Sequence, residues 1–443
     1  MSGVEIIGAG LAGCEAAWAL AQAGIAVTLW EMKPQKYSPA HTHSGFAELV
    51  CSNSLKASRL GSAAGLLKEE MRRLGSLTVE CAYKTAVGAG GALAVDRTAF
   101  SDLVTSHIRS HPLIQVREGE VEKLPRSGNV IVATGPLTSD ALAADIADYC
   151  GGDTLSFFDA AAPIVTAQSL DTDRVFFAAR YGRGEADYIN CPFNREEYEA
   201  FYEALVSAQG VELRDFEQRP LTVYEGCMPV EIMAKRGPDT LRFGPMKPVG
   251  LTNPETGHRP WAVVQLRQEN TGGTLYNLVG FQTNLKFPEQ KRVFSMIPGL
   301  ENAEFVRYGV MHRNTFLDSP RLLSSDFSLQ KRPELYFAGQ ITGVEGYMES
   351  AASGILAGQN LARKLGGKHA LILPEDTMLG ALTAYISDPG VEKFQPMGAN
   401  MGLLPPLPER VKEKALRYEQ IAQRAIASLE KTLKDGDSDE SNP

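Results

Sequence analysis

The first thirty residues show a pattern of apolar and polar positions that changes its period twice. An apolar run at 4–7 predicts a β-strand, and GAGLAG at 8–13 predicts a tight turn. Small and apolar residues at helical spacing over 11–23 predict a helix, and AVTLW at 26–30 predicts a second strand. The order strand, helix, strand is typical of a βαβ unit in a parallel sheet.

Two later segments extend this pattern. NVIVATGPL at 129–137 predicts a buried strand that runs into a glycine turn, and 334–363 predicts a strand, a glycine-rich turn and a helix of small residues. The segment 157–321 is rich in β-prone residues and turns, and helical patterns follow at 375–388 and 408–433. We expect an α/β fold with a Rossmann-type domain built from both chain ends (1–156 and 322–443) and an inserted α+β domain (157–321). The last part also holds C-terminal helices and an acidic tail.

The glycine turn has the spacing of a dinucleotide-binding motif. Gly8 permits the tight turn, Gly10 lets the backbone approach a pyrophosphate, and Gly13 allows close packing of helix and strand. Glu31, at the end of the second strand, can accept hydrogen bonds from a ribose. Helix N-termini also favour phosphate.

The dinucleotide is expected to be FAD. The N-terminal motif, the ATG strand and the C-terminal YFAGQ strand and helix together resemble the FAD-binding domain of glutathione-reductase-like flavoproteins. An NAD-only Rossmann domain would leave the C-terminal segment unexplained. The predicted cofactor-binding residues are Gly8, Ala9, Gly10, Leu11, Ala12, Gly13, Glu31, Gly135, Gly339, Gln340, Gly346 and Tyr347.

Charge is unevenly distributed along the 443 residues. The net charge of −9 argues against general adhesion to nucleic acid or anionic membranes. From 219 to 321, however, thirteen basic residues stand against nine acidic ones, which permits an RNA partner. Residues that could follow an RNA backbone there include Lys235, Arg236 and Lys286. No signal peptide or membrane-spanning run is apparent, so we expect a cytoplasmic protein without a membrane partner.

Two of the six cysteines have surroundings that suggest reactivity. Cys51 lies in AELVCSNSL soon after the first βαβ unit, and Cys227 lies beside acidic residues in VYEGCMPVE. A thiolate is a strong nucleophile, but packing is the commoner role of a cysteine, and the residues alone leave both readings open. Cys14 is expected to be a core residue. His41 and His43 lack a nearby cluster of metal ligands, so no metal site is expected. His312, Arg313 and Asn314, together with Tyr347, could frame a planar ligand against a flavin.

A set of particular segments resembles the family of folate- and FAD-dependent tRNA (uracil-5-)-methyltransferases. The set includes IIGAGLAGCEAAW, AELVCSNSLK, GGALAVDR, YEGCMPVE, VQLRQEN, RYGVMHRNTF, YFAGQITGVEGYMESAASG and FQPMGANMGLLPPLP. The resemblance implies 5-methyluridine formation in the T-loop of tRNA, with carbon from 5,10-methylenetetrahydrofolate and electrons from NAD(P)H through FAD. It also implies that Cys51 and Cys227 are catalytic, with the assignment of nucleophile and base open between them.

Other functions remain as alternatives to this interpretation. The same flavin–folate chemistry could act on a ribosomal RNA uridine. A non-catalytic RNA-binding flavoprotein, or a flavin reductase with a small substrate, are further possibilities. The oligomeric state, monomer or weak dimer, is not encoded in any motif.

Overall fold

The computed structural model describes most of the chain. It covers residues 3–151, 155–182, 185–211, 228–309, 311–392, 394–409 and 411–438, with the backbone alone at 155–160, 312–315 and 436–438. Cys227 lies outside the described residues.

The strands and helices alternate in the terminal parts and are mixed in the middle. In chain order, the described strands are β1 (Val4–Ile7), β2 (Val27–Glu31), β3 (Ser54–Ala57), β4 (Ala86–Val87), β5 (Ala92–Val95), β6 (Ile114–Glu118), β7 (Asn129–Val132), β8 (Leu155–Ala160), β9 (Ile164–Thr166), β10 (Phe176–Phe177), β11 (Tyr188–Phe193), β12 (Ala262–Gln268), β13 (Leu275–Leu278), β14 (Phe305–Arg307), β15 (Met311–Phe316), β16 (Ser328–Leu329) and β17 (Arg332–Phe337). The described helices are α1 (Leu11–Gln22), α2 (Ala63–Arg73), α3 (Leu77–Lys84), α4 (Arg97–Ser110), α5 (Asp140–Cys150), α6 (Arg195–Ser207), α7 (Val230–Ala234), α8 (Thr240–Phe243), α9 (Phe287–Phe294), α10 (Ser319–Leu322), α11 (Tyr347–Leu365), α12 (Met378–Ser387) and α13 (Lys414–Ser438).

The first sheet joins the two ends of the chain. Its strand order is β16-β17-β7-β1-β2-β6, and every neighbouring pair is parallel except β16 with β17. β17 pairs in register with β7, so a strand from the last quarter of the chain completes a sheet begun by the first residues. This is the Rossmann-type α/β arrangement that the strand and helix pattern predicts.

Helices α1 and α11 pack closely because their contact positions carry small residues. A Cβ on Gly354 would lie 2.2 Å from the carbonyl oxygen of Ala12, and a Cβ on Gly358 would lie 2.8 Å from that of Ala16. Real side chains do not approach backbone so closely, so only glycine allows this spacing. The main core of the protein forms around these helices.

The inserted segment forms a second, antiparallel sheet. Its order is β10-β11-β12-β13-β9-β14, and it has its own apolar core, to which α6, α7 and α9 contribute. Strands β8 and β15 pair as a two-stranded antiparallel ribbon. In the chain, β8 comes directly before the strands of the second sheet and β15 directly after them. A small sheet, β3-β5-β4, packs near α2 and α3.

The predicted elements are confirmed at the N-terminus, at β7 and at β17 with α11. The C-terminal helix differs from the prediction: it begins at Lys414, whereas the sequence pattern predicted a start at 408. The proline-rich segment before it cannot continue a helix, and the carbonyls of Pro405 and Pro406 instead accept hydrogen bonds from Arg424 on α13. No helix among the described residues is long and apolar enough to cross a membrane.

Glu70 ties helix α2 to the start of α12. Its carboxylate accepts hydrogen bonds from the backbone N–H groups of Met378 (2.7 Å) and Leu379 (2.9 Å). Burial raises the pKa of Glu70 to about 7, and the nearby Asp376 carboxylate adds to this, although the two hydrogen bonds favour the ionised form.

We predict that Glu70→Gln flattens the pH dependence of stability. The folded protein keeps the Glu70 proton up to about pH 7, whereas the unfolded chain releases it near pH 4.5. The free energy of unfolding should therefore fall as pH rises between these values, by up to roughly 3 kcal/mol. A glutamine at this position has no such proton, so urea unfolding of the variant at several pH values should show a smaller slope, whatever the change in overall stability.

A matched control is Glu69→Gln on the same helix. Hydrogen bonding to Arg72 lowers the pKa of Glu69, so ionisation of this carboxylate increases the free energy of unfolding as pH rises. The contribution of Glu69 to the pH slope therefore has the opposite sign to that of Glu70. Equal pH slopes for wild type and Glu70→Gln would contradict the assignment.

Candidate functional site

A cleft opens at the carboxyl ends of the parallel strands. This edge of an open α/β sheet is where such folds bind ligands. The structure brings most of the predicted cofactor-binding residues together on the cleft wall. These are Gly8, Ala9, Gly10, Leu11, Ala12, Glu31, Gly135, Gly339, Gln340 and Tyr347.

The three glycines of the first turn have different surroundings. Gly8 has φ +99°, and a Cβ there would lie 2.7 Å from the Ala133 carbonyl oxygen. A Cβ on Gly13 would lie 1.8 Å from the carbonyl oxygen of Gly8, so Gly13 serves helix packing and does not line the cleft. A Cβ on Gly10 would meet no atom within 4 Å. Gly10 therefore leaves open space in front of the α1 N-terminus, as a bound pyrophosphate requires.

Glu31 is almost fully buried at the end of β2. Its carboxylate accepts hydrogen bonds from the N–H groups of Ala9 and Lys33, both at 3.0 Å. The Glu31 carboxylate thus holds the glycine turn through Ala9, and it also lines the cleft. A carboxylate has further lone pairs with which to accept ribose hydroxyls, so these residues fit an FAD molecule.

The opposite wall of the cleft is formed by the turn before α11. Gly339 and Gly346 have φ values of +86° and +125°, which favour glycine. Gly346 caps α11 and does not line the cleft. The Gln340 side chain donates to Glu345 (2.5 Å), and Tyr347 begins the helix with its side chain on the cleft wall.

Tyr347 also holds the segment that carries Cys51. Its hydroxyl oxygen accepts hydrogen bonds from the backbone N–H groups of Cys51 (2.7 Å) and Ser52 (3.1 Å). Val50, the preceding residue, lines the cleft. Cys51 is partly buried and lies immediately beside the predicted FAD site.

Three arginines from distant parts of the chain bind the same segment, and we call them the arginine cluster: Arg97, Arg267 and Arg307. Arg97 donates to the carbonyl oxygens of Leu49 (2.7 Å) and Cys51 (3.2 Å). Arg307 donates to that of Val50 (2.6 Å).

Arg267 completes the cluster through the residues that follow Cys51. It donates to Asn53 (2.8 Å) and to the Ser52 hydroxyl (2.7 Å). The contacts of the cluster span residues 49–53.

The cluster carries three positive charges, of which Arg267 is buried and Arg97 and Arg307 are partly buried, against the one carboxylate of Glu269. Burial opposes the charge of Arg97, but the ion pair with the buried Glu269 (2.7 Å) outweighs it and raises the pKa of Arg97. Arg267 and Arg307 bond to neutral groups, and burial lowers the pKa of both guanidiniums. Arginine keeps its charge under such conditions, so the surroundings of Cys51 favour a negative group.

Four other described cysteines have surroundings of the opposite kind. Burial raises the pKa of the thiols of Cys14, Cys150 and Cys191, and raises that of Cys81 to about 12. These groups stay protonated at neutral pH. Cys14, expected to be a core residue, is fully buried and donates to the Ala9 carbonyl.

The predicted substrate residues lie on the inserted side. His312, Arg313 and Asn314 lie on β15, opposite Asp159, Phe158 and Phe157 of β8, and the backbone alone is described.

The predicted basic contacts are on the surface of the inserted domain. Lys235 and Arg236 follow α7, and Lys286 precedes α9, all with exposed side chains.

The two notable histidines differ in their contacts. His41 lines the cleft and hydrogen-bonds Ser38 (2.6 Å). His43 is held by Asp102 (3.2 Å) and by the Gly45 N–H (2.8 Å).

Sequence reasoning missed the arginine cluster and Glu269. Each of these residues lies in a segment that resembles the methyltransferase family, but none was singled out. The signal that could have found them is a charged residue inside an apolar strand, as in VVQLRQE. A buried arginine needs hydrogen-bond or ion-pair partners, but a local pattern does not show which residues these are.

We predict that Gly10→Ala weakens FAD binding without unfolding the protein. The added methyl group meets no protein atom, so apoprotein stability should change by less than about 1 kcal/mol. FAD affinity, measured by quenching of flavin fluorescence, should fall at least about tenfold because the methyl group occupies the space of the pyrophosphate. Gly91→Ala is the control, since its Cβ is also unhindered but lies away from the cleft. Unchanged FAD affinity in Gly10→Ala would refute this placement of the pyrophosphate.

We predict that Tyr347→Phe loosens the Cys51 segment. The substitution removes the acceptor of two backbone N–H groups, and each unsatisfied group costs about 1–3 kcal/mol. Hydrogen exchange of the peptide covering 49–54 should accelerate about tenfold or more. Tyr202→Phe, which removes a hydroxyl bond to Ala234 elsewhere, should leave that peptide unchanged. Equal protection in Tyr347→Phe and wild type would contradict the role of the hydroxyl.

Solved structures with a similar fold include two crystal forms of Aquifex aeolicus GidA. The form II structure aligns with a TM-score of 0.69 at 16% identity, covering 98% of this chain and 76% of that chain. The form I structure aligns equally well, with a TM-score of 0.69 and 17% identity. At this level of identity the likeness shows the fold, and it agrees with the glutathione-reductase-like arrangement.

The proteins found by sequence comparison share much higher identity with this chain than these solved structures do. The family model described as glucose inhibited division protein A matches residues 3–369. A methylenetetrahydrofolate–tRNA-(uracil-5-)-methyltransferase TrmFO from Acetivibrio thermocellus is 59% identical over 426 residues, 96% of this chain and 97% of the relative. The protein of the same name from Enterococcus faecalis is 57% identical over 423 residues, 96% and 97% of the two chains. The chain therefore belongs to the glucose inhibited division protein A family and, within it, to the methylenetetrahydrofolate–tRNA-(uracil-5-)-methyltransferases named TrmFO.

Proposed function

We propose that the protein methylates C5 of the T-loop uridine of tRNA. The carbon comes from 5,10-methylenetetrahydrofolate, and NAD(P)H supplies electrons through FAD. The observation that carries the proposal is the Cys51 segment, which Tyr347 and the arginine cluster hold beside a dinucleotide cleft. The names of the near full-length relatives support both the tRNA substrate and the folate donor.

FAD, when bound, supplies the electrons that reduce the transferred one-carbon unit to a methyl group. The open space at Gly10 and the α1 N-terminus would hold its pyrophosphate, and Glu31 its ribose. The α11 N-terminus, with Tyr347, would face the far end of the cofactor, where a helix N-terminus favours negative charge.

The role of the cysteines follows from the chemistry of uracil. C5 is a poor nucleophile until a group adds to C6 and generates an enolate. A thiolate is suited to this addition, and elimination of the thiolate restores the ring after C5 loses its proton. Cys227 is the candidate nucleophile, and Cys51 the candidate proton carrier or protecting partner, with the exchange of nucleophile and base roles open. The positive charge of the arginine cluster would favour a thiolate at Cys51.

The RNA would approach over the inserted domain. His312, Arg313 and Asn314 would lie towards the substrate, and Lys235, Arg236 and Lys286 would contact the RNA backbone, as the exposed side chains of the three basic residues allow. The target base must leave its stack to reach Cys51, at a cost of a few kcal/mol. We place this activity in the cytoplasm, with the protein as a monomer or weak dimer.

We predict that Cys51→Ala strongly slows 5-methyluridine formation. Purified protein would be incubated with unmodified tRNA, methylenetetrahydrofolate and NADPH, and the digested RNA analysed by mass spectrometry. Wild type should form product that depends on folate and does not need S-adenosylmethionine. Loss of an acid–base or nucleophilic group should lower the rate by about 10²–10⁴-fold. Cys150→Ala is the matched control, since Cys150 is a partly buried thiol with a raised pKa.

The outcomes separate the alternatives. Product in ribosomal RNA but not in tRNA would change the substrate. RNA binding without product from either RNA would indicate a non-catalytic flavoprotein, and NADPH oxidation unaffected by RNA would indicate a reductase. Full activity in Cys51→Ala would refute the role of this thiol.

A further inference from the structure

Three aromatic rings form a ladder at the edge of the inserted domain, and we call Phe287, Tyr308 and Phe305 the ring ladder. Tyr308 lies in the middle. Its ring centroid is 4.8 Å from that of Phe287, with 15° between the ring planes. On the other side it is 5.3 Å from that of Phe305, with 11° between the planes. In a near-parallel stack of three rings, the end rings are the ones that can offer a face to a further ring.

Hydrogen bonds between α9 and the residue after Tyr308 hold the ring ladder in place. Gln290, fully buried on α9, donates to the Gly309 carbonyl and accepts from the Gly309 N–H, both at 2.8 Å. A Cβ on Gly309 would lie 2.7 Å from the carbonyl oxygen of Ala161, so this residue is closely packed. The reciprocal bonds fix Tyr308 against α9, on which Phe287 lies. The rings are therefore ordered before any ligand arrives, which reduces the entropy lost on binding.

The two ends of the ladder differ in exposure. Phe305 packs against the apolar core of the second sheet. Phe287 is 50% exposed, so the open ring face is at its end. A phenylalanine that is half exposed contributes little to the core and offers ring surface to a ligand.

The segment that carries Phe287 has a net positive charge. Residues 286–294 contain three basic side chains, Lys286, Lys291 and Arg292, against one acidic side chain, Glu289. Arg292 pairs with Glu289 (2.6 Å), and the side chains of Lys286 and Lys291 are exposed. An aromatic face bordered by lysines is the combination with which proteins bind unpaired nucleotides, because the ring stacks on the base and the cations neutralise phosphate.

The ladder continues into the candidate site. Tyr308 directly follows Arg307, whose guanidinium reaches the Val50 carbonyl beside Cys51. The residues after Gly309 lead into β15, which carries His312. The ladder is thus joined through one chain neighbour to an arginine that contacts the Cys51 segment.

We propose that the ring ladder is a stacking platform for an unpaired base of the RNA substrate. This inference rests on the proposed function, because it assumes an RNA partner. The base would stack on the open face of Phe287, and Lys286 and Lys291 would contact the adjoining phosphates. A flipped target uridine leaves neighbouring bases unstacked, and the platform would compensate for part of that loss.

The test is the affinity for unmodified tRNA of variants at position 287. Phe287→Ala and Phe287→Leu should weaken binding between about 5- and 100-fold, the range expected for one base–aromatic stack. Phe287→Tyr and Phe287→Trp should bind like wild type, because they keep a ring. NADPH oxidation and FAD content should be unchanged in all four. Phe243→Ala is the matched control, since Phe243 is an 84% exposed phenylalanine of the same domain, on α8.

Several results would overturn the proposal. Phe287→Leu with wild-type affinity would show that apolar packing, and not stacking, is what matters. An equal loss in Phe243→Ala would show a general effect of exposed aromatic residues. A change in sedimentation of Phe287→Ala without RNA would identify the patch as a contact between copies of the chain. If wild type and Phe287→Ala bind and methylate tRNA equally well, the stacking platform is refuted and the proposed function is not. Wild type that binds no RNA refutes the proposed function as well.

Discussion

The close contact between α1 and α11 is the constraint on which the rest of the structure depends. Two segments more than three hundred residues apart in the chain must meet at backbone distance, and Gly354 and Gly358 make this possible. The contact sets the distance between the glycine turn on one wall of the cleft and Tyr347 on the other. It also returns the chain to its starting point, so a whole domain can be inserted between the two halves without disturbing the sheet.

The arginine cluster transmits this constraint to the inserted domain. Arg267 and Arg307 come from the second sheet, yet their side chains bond to the segment around Cys51 in the first domain. A buried guanidinium that lost these partners would be strongly destabilising, because it would keep its charge without water or a hydrogen-bond acceptor. These contacts therefore fix the second sheet against the segment that carries Cys51.

Much of the fold could be predicted from the sequence because its signals are local. The glycine turn, the strands on either side of α1 and the segment at β17 and α11 follow from short-range patterns of apolar, small and glycine residues. The FAD-type assembly from both chain ends could be inferred from the resemblance of those segments to flavoproteins. Local patterns also misplaced the start of the last helix, because the proline-rich segment before it packs along α13.

The sequence by itself determined the fold class and the dinucleotide-binding motif, since each rests on short segments whose local patterns can be read separately, and the family resemblance of such segments indicated the two cysteines. Only the tertiary structure decided what surrounds Cys51. Arg97, Arg267, Arg307 and Tyr347 contribute to that environment from four separate elements. The ring ladder likewise joins residues of α9, of β14 and of the segment directly after β14. Such groups meet through packing of distant segments, and no spacing along the chain encodes the distances that make them a site.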